Sequence, residues 1–264
     1  YLWCQHSAGV RLVWEKAKTN LMKTFGLIGK NIDYSFSRGY FKDKFETNKL
    51  DCTYKNFDLE NIESFEKLKE NSTAFSGFNV TIPYKEEILP YLDSVDSEAK
   101  EIGAINTIKI KNNQLIGYNT DHYGFKNSLL PHLKPHHKKA LILGTGGASK
   151  AVAFALKNMG IAYEYVSRNK SDKIKHTYNS IKSSDIEACK LIINCTPLGT
   201  FPKTEKYPEI PYNSISDQHL LFDLIYNPVE TQFLKNGALQ GAKIVNGLEM
   251  LKIQAEKSWE IWNS

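Results

Sequence analysis

From Met22 onward the chain reads as two α/β domains, on three observations. Strand-like and helix-like segments alternate along it. A hydrophobic strand at 140–143 runs into a glycine-rich turn and a helix of small residues. A proline- and charge-rich stretch at 129–139 marks the seam between two series of elements. Alternation of this kind predicts parallel strands covered by helices. The 264 residues suit it, since domains of about 100–150 residues each bury a core without disulfide or metal staples.

The elements follow in order. Residues 1–21 hold no turn-bounded strand and lack the basic start and 7–15-residue apolar core of a signal peptide. They read as an extension before a start at Met22, or as a short docking helix using Val10, Leu12, Val13, Trp14 and Leu21. A strand at 25–28 is followed by a Ser-rich loop and a helix start at 37–44. A strand at 50–56 precedes a helix at 59–71, whose Leu59, Ile62, Phe65 and Leu68 share one face. The strand 75–81 is stopped by Pro83. Helical segments at 86–92 and 97–102 lead to a hairpin, 104–110 with 114–119, turning at Asn112-Asn113. A helix starting near Asp121 crosses into the seam. Beyond it come strand 139–144, helix 148–159, strand 162–167, helix 173–180 and strand 191–194. Strand 220–223, helix 231–236, strand 243–246 and a final helix at 250–262 complete the chain.

Composition narrows the function. Lys and Arg number 34 against 29 Asp and Glu, a net charge of +5, with 24% charged and 41% hydrophobic residues. This excludes a disordered charged tail, and so mild a charge gives no argument for nucleic-acid binding. No apolar run approaches the roughly 18–20 residues of a membrane span. Cys4, Cys52, Cys189 and Cys195 form no CxxC pair, which fits reduced thiols of a cytoplasmic protein and gives no zinc site. The histidines at 132, 136 and 137 lie among prolines and lysines and read as a solvated linker.

Gly144-Thr-Gly-Gly-Ala-Ser149 sits between a strand and a helix, where glycine loops hold a pyrophosphate. Without side chains the backbone approaches the phosphates, and the helix N-terminus supplies N–H donors and partial positive charge. The same glycines also serve as a plain tight turn, and Ser149 stands where the pattern ends in Gly or Ala. The end of the next strand chooses the cofactor. NAD sites place an acid there for the ribose hydroxyl. Here Val166-Ser-Arg-Asn-Lys170 has none, and Arg168 can pair with a 2′-phosphate. The loop and Arg168 together point to NADP, although an isolated Arg168 is simply a solvated surface residue.

Asn79-Val-Thr-Ile-Pro-Tyr-Lys85 sets Lys85 just beyond a strand end, where active sites of open sheets collect. Asp121, in Gly117-Tyr-Asn-Thr-Asp121, is a candidate carboxylate partner. Carbonyl reduction needs hydride from a nicotinamide and a proton from such a group. Each has a plainer reading, Lys85 as a solvated lysine and Asp121 as a helix N-cap. Spacing does not show that they meet.

Taken in order, these motifs resemble the shikimate dehydrogenase family, whose members reduce 3-dehydroshikimate with NADPH. The resemblance runs from Met22 to Trp262. It implies that Lys85 and Asp121 are the catalytic pair and that Thr81 contacts substrate. Gly103-Ala-Ile-Asn-Thr107 is similar to the family's GAxNT motif, which puts Asn106 on the substrate. Gly144, Thr145, Gly146, Gly147 and Ala148 resemble its diphosphate loop, and Ser167 with Arg168 its 2′-phosphate loop. Asn194-Cys-Thr-Pro-Leu-Gly199 resembles a segment beside the cofactor. Asp223-Leu-Ile-Tyr-Asn-Pro228 implies Leu224 near the nicotinamide and Tyr226 on the substrate. The closing motif implies Gly247 at the cofactor and Gln254 at the substrate.

Two departures stand out. The family's carboxylate-gripping loop, roughly G-x-P-I-x-H-S-x-S-P, keeps Ser35 and Ser37 here but has Asn31, Tyr34 and Arg38 for the two prolines and the histidine. The phosphate loop begins with Ser167 where many members have Asn. The resemblance thus implies an N-terminal α/β substrate domain at 22–121 and a Rossmann-type NADP-binding domain at 122–236. A last segment, 237–264, returns to the first domain, and the active site is the cleft between them. It implies a cytoplasmic oxidoreductase of aromatic amino-acid and chorismate biosynthesis. Its partner is a small-molecule substrate; neither nucleic acid nor membrane is involved, and the enzyme is a monomer or homodimer. A quinate/shikimate dehydrogenase using NAD(P), or a non-catalytic ligand-binding protein on this fold, is the alternative. A methylenetetrahydrofolate dehydrogenase fits the Ser35/Ser37 loop and residues 119–121 poorly.

Overall fold

The structure, a computed structural model, describes residues 22–33, 35–171 and 174–264. Its first half contains β1 (Lys23–Gly29), α1 (Phe36–Thr47), β2 (Cys52–Asp58), α2 (Phe65–Glu70) and β3 (Gly77–Val80). It continues with β4 (Ser94–Val95), α3 (Ser97–Ile102), β5 (Thr107–Lys111) and β6 (Gln114–Tyr118). These strands form one sheet in the order β2-β1-β3-β5-β6-β4. β1, β2 and β3 are parallel, whereas β5 runs antiparallel to β3 and to β6, which makes the sheet mixed. The antiparallel part follows from the predicted hairpin. Asn112 and Asn113 have φ of 53° and 61°, the left-handed pair that a tight two-residue hairpin turn requires and asparagine tolerates.

The second half is built from α4 (Asp121–Leu129), β7 (Lys139–Leu143), α5 (Gly147–Asn158), β8 (Ala162–Ser167), β9 (His176–Thr177) and α6 (Ser183–Ala188). β10 (Leu191–Asn194), β11 (Leu220–Asp223), α7 (Gln232–Leu239), β12 (Lys243–Val245) and α8 (Leu248–Asn263) follow. Its sheet, in the order β12-β11-β10-β7-β8-β9, is parallel throughout. β7 and β10 are neighbours with crossovers departing in opposite directions, so the glycine loop after β7 lies at the point where the strand order reverses. Open parallel sheets bind ligands at that point.

Two helices join the halves. α4 and α8 cross closely enough that a Cβ on Gly124 would lie 2.6 Å from the Met250 carbonyl oxygen. Met250 and Phe125 belong to the core of the second sheet, with Phe125 edge-on to Phe222. The far end of α8 serves the first sheet. Trp262 stacks on Phe25 with centroids 4.6 Å apart and donates its indole N–H to the Ile108 carbonyl at 3.0 Å.

Several elements depart from the sequence reading. α1 begins at Phe36 and runs to Thr47, beyond the expected 37–44. In the stretch 59–71 only α2 is α-helical, because Asn61 turns its side chain onto the Ser64 N–H and starts a short 3-10 turn first. Residues 86–92 form turns and a 3-10 segment at Leu89–Tyr91, where Pro90 lacks the N–H that an α-helix needs. The helix expected at 173–180 is absent from the residues described there. His176 and Thr177 form the edge strand β9 instead, held by His176 Nε2 against Glu164 of β8 at 3.0 Å. The helix of that crossover is α6. Residues 1–21 lie outside the described residues.

Trp262→Ala should detach the end of α8 and cost about 3–5 kcal/mol, the range for truncating a buried aromatic. Urea unfolding checks this: an unchanged midpoint would show that α8 does not depend on its seat against Phe25.

Candidate active site

β3 ends at Val80, and the chain turns through Thr81-Ile-Pro83 to Lys85. Two bonds fix that turn: the phenol of the buried Tyr84 donates to the Leu59 carbonyl at 2.7 Å, and Ile105 N–H donates to the Lys85 carbonyl at 2.7 Å. The Lys85 ammonium is thereby brought 2.6 Å from Asp121 Oδ2, with both side chains largely withdrawn from water. Asp121 is the first residue of α4, so the helix N-terminus favours its negative charge. It is not the cap. Asn119 Oδ1 takes that role, accepting from the N–H groups of Asp121 and His122 at 3.0 and 3.3 Å.

The second carboxylate oxygen, Oδ1, accepts from Asn106 Nδ2 at 2.9 Å. Asn106 is itself oriented, since its Oδ1 accepts from Thr120 N–H at 2.7 Å and its Nδ2 faces Gln254 Oε1 at 3.2 Å. Behind it a buried polar layer continues through Thr107, Thr120 and Ser258 to Asn79, whose side chain accepts from the Tyr54 phenol at 2.8 Å. Lys85, Asp121, Asn106 and Gln254 therefore share one cluster, drawn from four separate parts of the chain. Thr81 stands at the mouth of β3, half-buried, with its N–H donating to the Ile28 carbonyl at 2.8 Å.

Ser35 and Ser37 open α1 on the same side of the sheet. Ser35 Oγ caps Arg38 N–H and donates to Asn56 Oδ1 at 3.2 Å, while Ser37 lies near the Tyr54 phenol. Tyr54 and Asn56, two residues apart on β2, were not signalled by the sequence; they carry no motif of their own. Tyr226 follows β11 and is half-buried, and burial raises its phenol above the ordinary tyrosine range. Its ring meets Phe36 of the serine loop, so this residue of the second half reaches the first.

The glycine loop abuts the Lys85 cluster directly. A Cβ on Gly147 would lie 3.2 Å from Lys85 Cβ and 3.4 Å from Ala104 Cβ. Gly144 has φ of +102°, which favours glycine, and its N–H donates to the Val166 carbonyl at 2.9 Å. Gly146 faces open space and Thr145 is exposed, which leaves the first turn of the twelve-residue α5 open to a ligand. Ser149, the departure from the glycine pattern, is buried and donates to the Gly146 carbonyl at 2.6 Å, closing the turn from inside. Ala148 is half-buried beside it.

On the far side of the loop, Ser167 ends β8 and Arg168 is exposed beyond it. A cavity of about 420 Å³ adjoins this strand end; its lining includes Lys170, Lys175 and Lys182 and one carboxylate, Asp185. The phenol of Tyr178 is buried, has no hydrogen-bond partner among the described residues, and feels the charge of Arg168; burial pushes it up to about 12. An open helix start, a strand end where lysines and Arg168 outnumber the single carboxylate, and an orphaned hydroxyl fit a phosphorylated dinucleotide. Leu224 and Gly247 meet at the other end. A Cβ on Gly247 would lie 2.1 Å from the Leu224 carbonyl oxygen, so only glycine lets that strand end approach.

Asp223, fully buried at the end of β11, anchors the loop bearing Leu224 and Tyr226. It accepts from Ile225 N–H at 3.0 Å, Asn194 Nδ2 at 3.0 Å and Thr231 Oγ1 at 2.5 Å. The sequence placed Asp223 in a motif but gave no sign of this anchoring.

The chain is similar to known proteins along most of its length. A family model described as the shikimate dehydrogenase substrate binding domain matches residues 27–108. The chain is 41% identical over 256 residues to the NADP(+) shikimate dehydrogenase of Methanococcus maripaludis, covering 91% of each chain. It is 40% identical over 257 residues to that of Clostridium beijerinckii, covering 91% of this chain and 92% of the relative. Among solved structures, the Thermus thermophilus shikimate 5-dehydrogenase in complex with NADP(H) and shikimate superposes with a TM-score of 0.82. The two are 31% identical, covering 91% of this chain and 93% of that one.

The Asp223 anchor has a pH signature. Desolvation pushes its carboxyl up to about 6 from the ordinary 3.8, outweighing the bonds from Thr231, Ile225 and Asn194 that favour the charged form. The folded protein thus holds this proton more tightly than the unfolded chain. Its contribution is fully present below about pH 4 and is lost as pH rises through about 6. In urea unfolding between pH 4 and 7, the stability of the native protein minus that of Asp223→Asn should fall with pH, by at most about 3 kcal/mol. A flat or rising difference would show that the carboxylate is not penalised by burial.

Proposed function

The chain belongs to the shikimate dehydrogenase family, and we propose that it catalyses the reversible NADPH-dependent reduction of 3-dehydroshikimate to shikimate through Lys85 and Asp121. The observation that carries this reading is the Lys85–Asp121 pair at 2.6 Å, set against Gly147 at the open start of α5. A proton donor and a cofactor loop in van der Waals range of each other are what a coupled hydride and proton transfer requires. The names of the relatives supply the substrate and cofactor class.

In this reading residues 22–121 form the substrate domain, 122–236 the NADP domain, and 237–264 the segment that returns Gln254 to the substrate. Gly144, Thr145, Gly146, Gly147 and Ala148 would hold NADPH, with Ser167 and Arg168 at its 2′-phosphate and Leu224 and Gly247 at its nicotinamide end; when bound it would supply the hydride. Ser35 and Ser37 donate to the substrate carboxylate. Thr81, Asn106, Tyr226 and Gln254 hold its hydroxyls and fix the ring carbonyl toward Lys85. As negative charge develops on that oxygen, the Lys85 ammonium delivers its proton; in the oxidising direction the amine removes it from the hydroxyl. Asp121 keeps Lys85 in line and accepts from Asn106, so the carboxylate is itself held on two sides. No helix among the described residues is long and apolar enough to cross a membrane. A cytoplasmic location, a small-molecule substrate without nucleic acid, and a monomer or homodimer belong to the same proposal.

Absorbance of the reduced nicotinamide, followed with shikimate or quinate and with NADP or NAD, tests the assignment. Turnover of shikimate with NADP is expected, and Lys85→Ala should reduce it by roughly 10²–10⁴-fold, as for other general acids. Preference for quinate or NAD would transfer the chain to the sister activity, and binding of shikimate without turnover would make it a ligand-binding protein. Arg168→Ala should separately raise the KM for NADP by about tenfold or more, through loss of a charge-assisted phosphate bond, with little effect on NAD. Equal loss with both cofactors would remove Arg168 from the 2′-phosphate.

A further inference from the structure

The residue between the two serines, Phe36, is assigned no part by the motifs. Ser35 turns its hydroxyl toward β2, donating to Asn56, and Ser37 lies near Tyr54 of the same strand. Phe36 is the first residue of α1, and its ring goes the other way, across to the second half of the molecule. There it meets Tyr226, with centroids 5.5 Å apart and the rings inclined at 68°. The same ring stacks on Tyr40, one turn further along α1, at 5.4 Å and 25°.

Tyr40 is in turn fixed. Its phenol donates to Glu256 of α8, and Lys44 donates to both oxygens of that carboxylate at 2.8 and 2.6 Å. Phe36 is therefore backed by a ring whose phenol end is held to α8 by a charged contact. This is the helix that brings Gln254 into the Asn106 cluster. Tyr226 has no comparable anchor of its own within its loop: the strand-end aspartate holds the backbone at Ile225, not the ring. Among the aromatic pairs of the structure, Phe36 is its one ring neighbour among the described residues.

We propose that Phe36 is a positioning residue for Tyr226: its ring, backed by Tyr40, is the wall that aims the Tyr226 phenol at the substrate gripped by the serines on either side. The inference rests on the shikimate reading of the site, since it gives Tyr226 a substrate to meet. It also gives a physical reason for an aromatic residue inside a loop whose neighbours are hydroxyls. The same three residues that hold one end of the substrate would set the ring that holds the other. An edge-to-face aromatic pair is worth enough beyond its buried area to shift an equilibrium roughly 3- to 10-fold, which is the size of effect to look for.

The test is a double-mutant cycle in the full chain, with Phe36→Ala, Tyr226→Ala and the double variant assayed for shikimate oxidation at saturating NADP. Phe36→Ala should raise the KM for shikimate roughly 3- to 10-fold, leaving the KM for NADP within about twofold. In the Tyr226→Ala background it should cost less than about twofold, because the ring it positions is gone. Phe36→Tyr, which keeps the ring, should restore the native KM. Should Phe36→Ala fail to fold, Phe36→Leu replaces it in the same cycle. Losses that multiply, or a parallel rise in the KM for NADP, would overturn the proposal by showing that Phe36 acts on structure alone. An unmutated chain that oxidises no shikimate overturns the functional reading itself, and is distinguished by that control.

Discussion

Asp121 carries its carboxylate where water barely reaches, and the Lys85 ammonium alone would not compensate for that withdrawal. Desolvating two opposite charges costs several kcal/mol each unless their remaining hydrogen-bonding capacity is filled. The rest of the molecule is arranged around filling it. The helix dipole of α4 acts on Asp121 from behind, Asn106 donates to the oxygen that Lys85 leaves, and Asn119 caps the turn so that the carboxylate is spared that task. Asn106 then needs its own orientation, which Thr120 and Gln254 provide from the start of α4 and from α8. Each layer exists to hold the one in front of it.

This dependence explains why α8 folds back over the first sheet. A polar layer of Asn79, Thr107, Thr120, Gln254 and Ser258 under a sheet would be costly if any member lacked a partner. α8 contributes two of its members and is pinned by Trp262 at one end and Met250 at the other, each in the core of a different sheet. The helix is therefore the strut between the two halves as well as a wall of the site. The glycine at 147 completes the joint, since even a Cβ there would meet Lys85 Cβ at 3.2 Å and require one of the two to shift.

Much of this was legible in the residues. Apolar strands, glycine turns and the Asn112-Asn113 hairpin depend on local chemistry, and local chemistry is what a sequence displays. The same holds for the glycine loop, whose context was strand, turn and helix in immediate succession. The misreadings share a cause. Helices were expected at 59–71, from apolar spacing, and at 86–92 and 173–180, but a neighbouring polar side chain or a proline had a stronger local claim on the backbone: Asn61 on the Ser64 N–H, Pro90 by its missing donor, His176 on Glu164 across the sheet edge. Periodicity reports which face is buried, not which bond the backbone makes.

The site divides along the same line. Lys85 and Asp121 could be singled out by type and by their places at a strand end and a helix start, yet 36 residues separate them, and spacing along a chain carries no information on whether two ends of different elements converge. Motif order supplied that through resemblance. The supporting residues were invisible even so, because Tyr54, Asn56, Ser258 and Asp223 are ordinary members of a strand or helix whose only distinction is what they face. A sheet can accept a buried asparagine or aspartate only where a partner from elsewhere meets it, so the partner and not the residue defines the role. In this protein α8 supplies partners to the polar layer behind Asn106, and β10 and the turn after β11 supply those of Asp223. The chemistry assembled near the middle of the sequence is therefore held in position by its end.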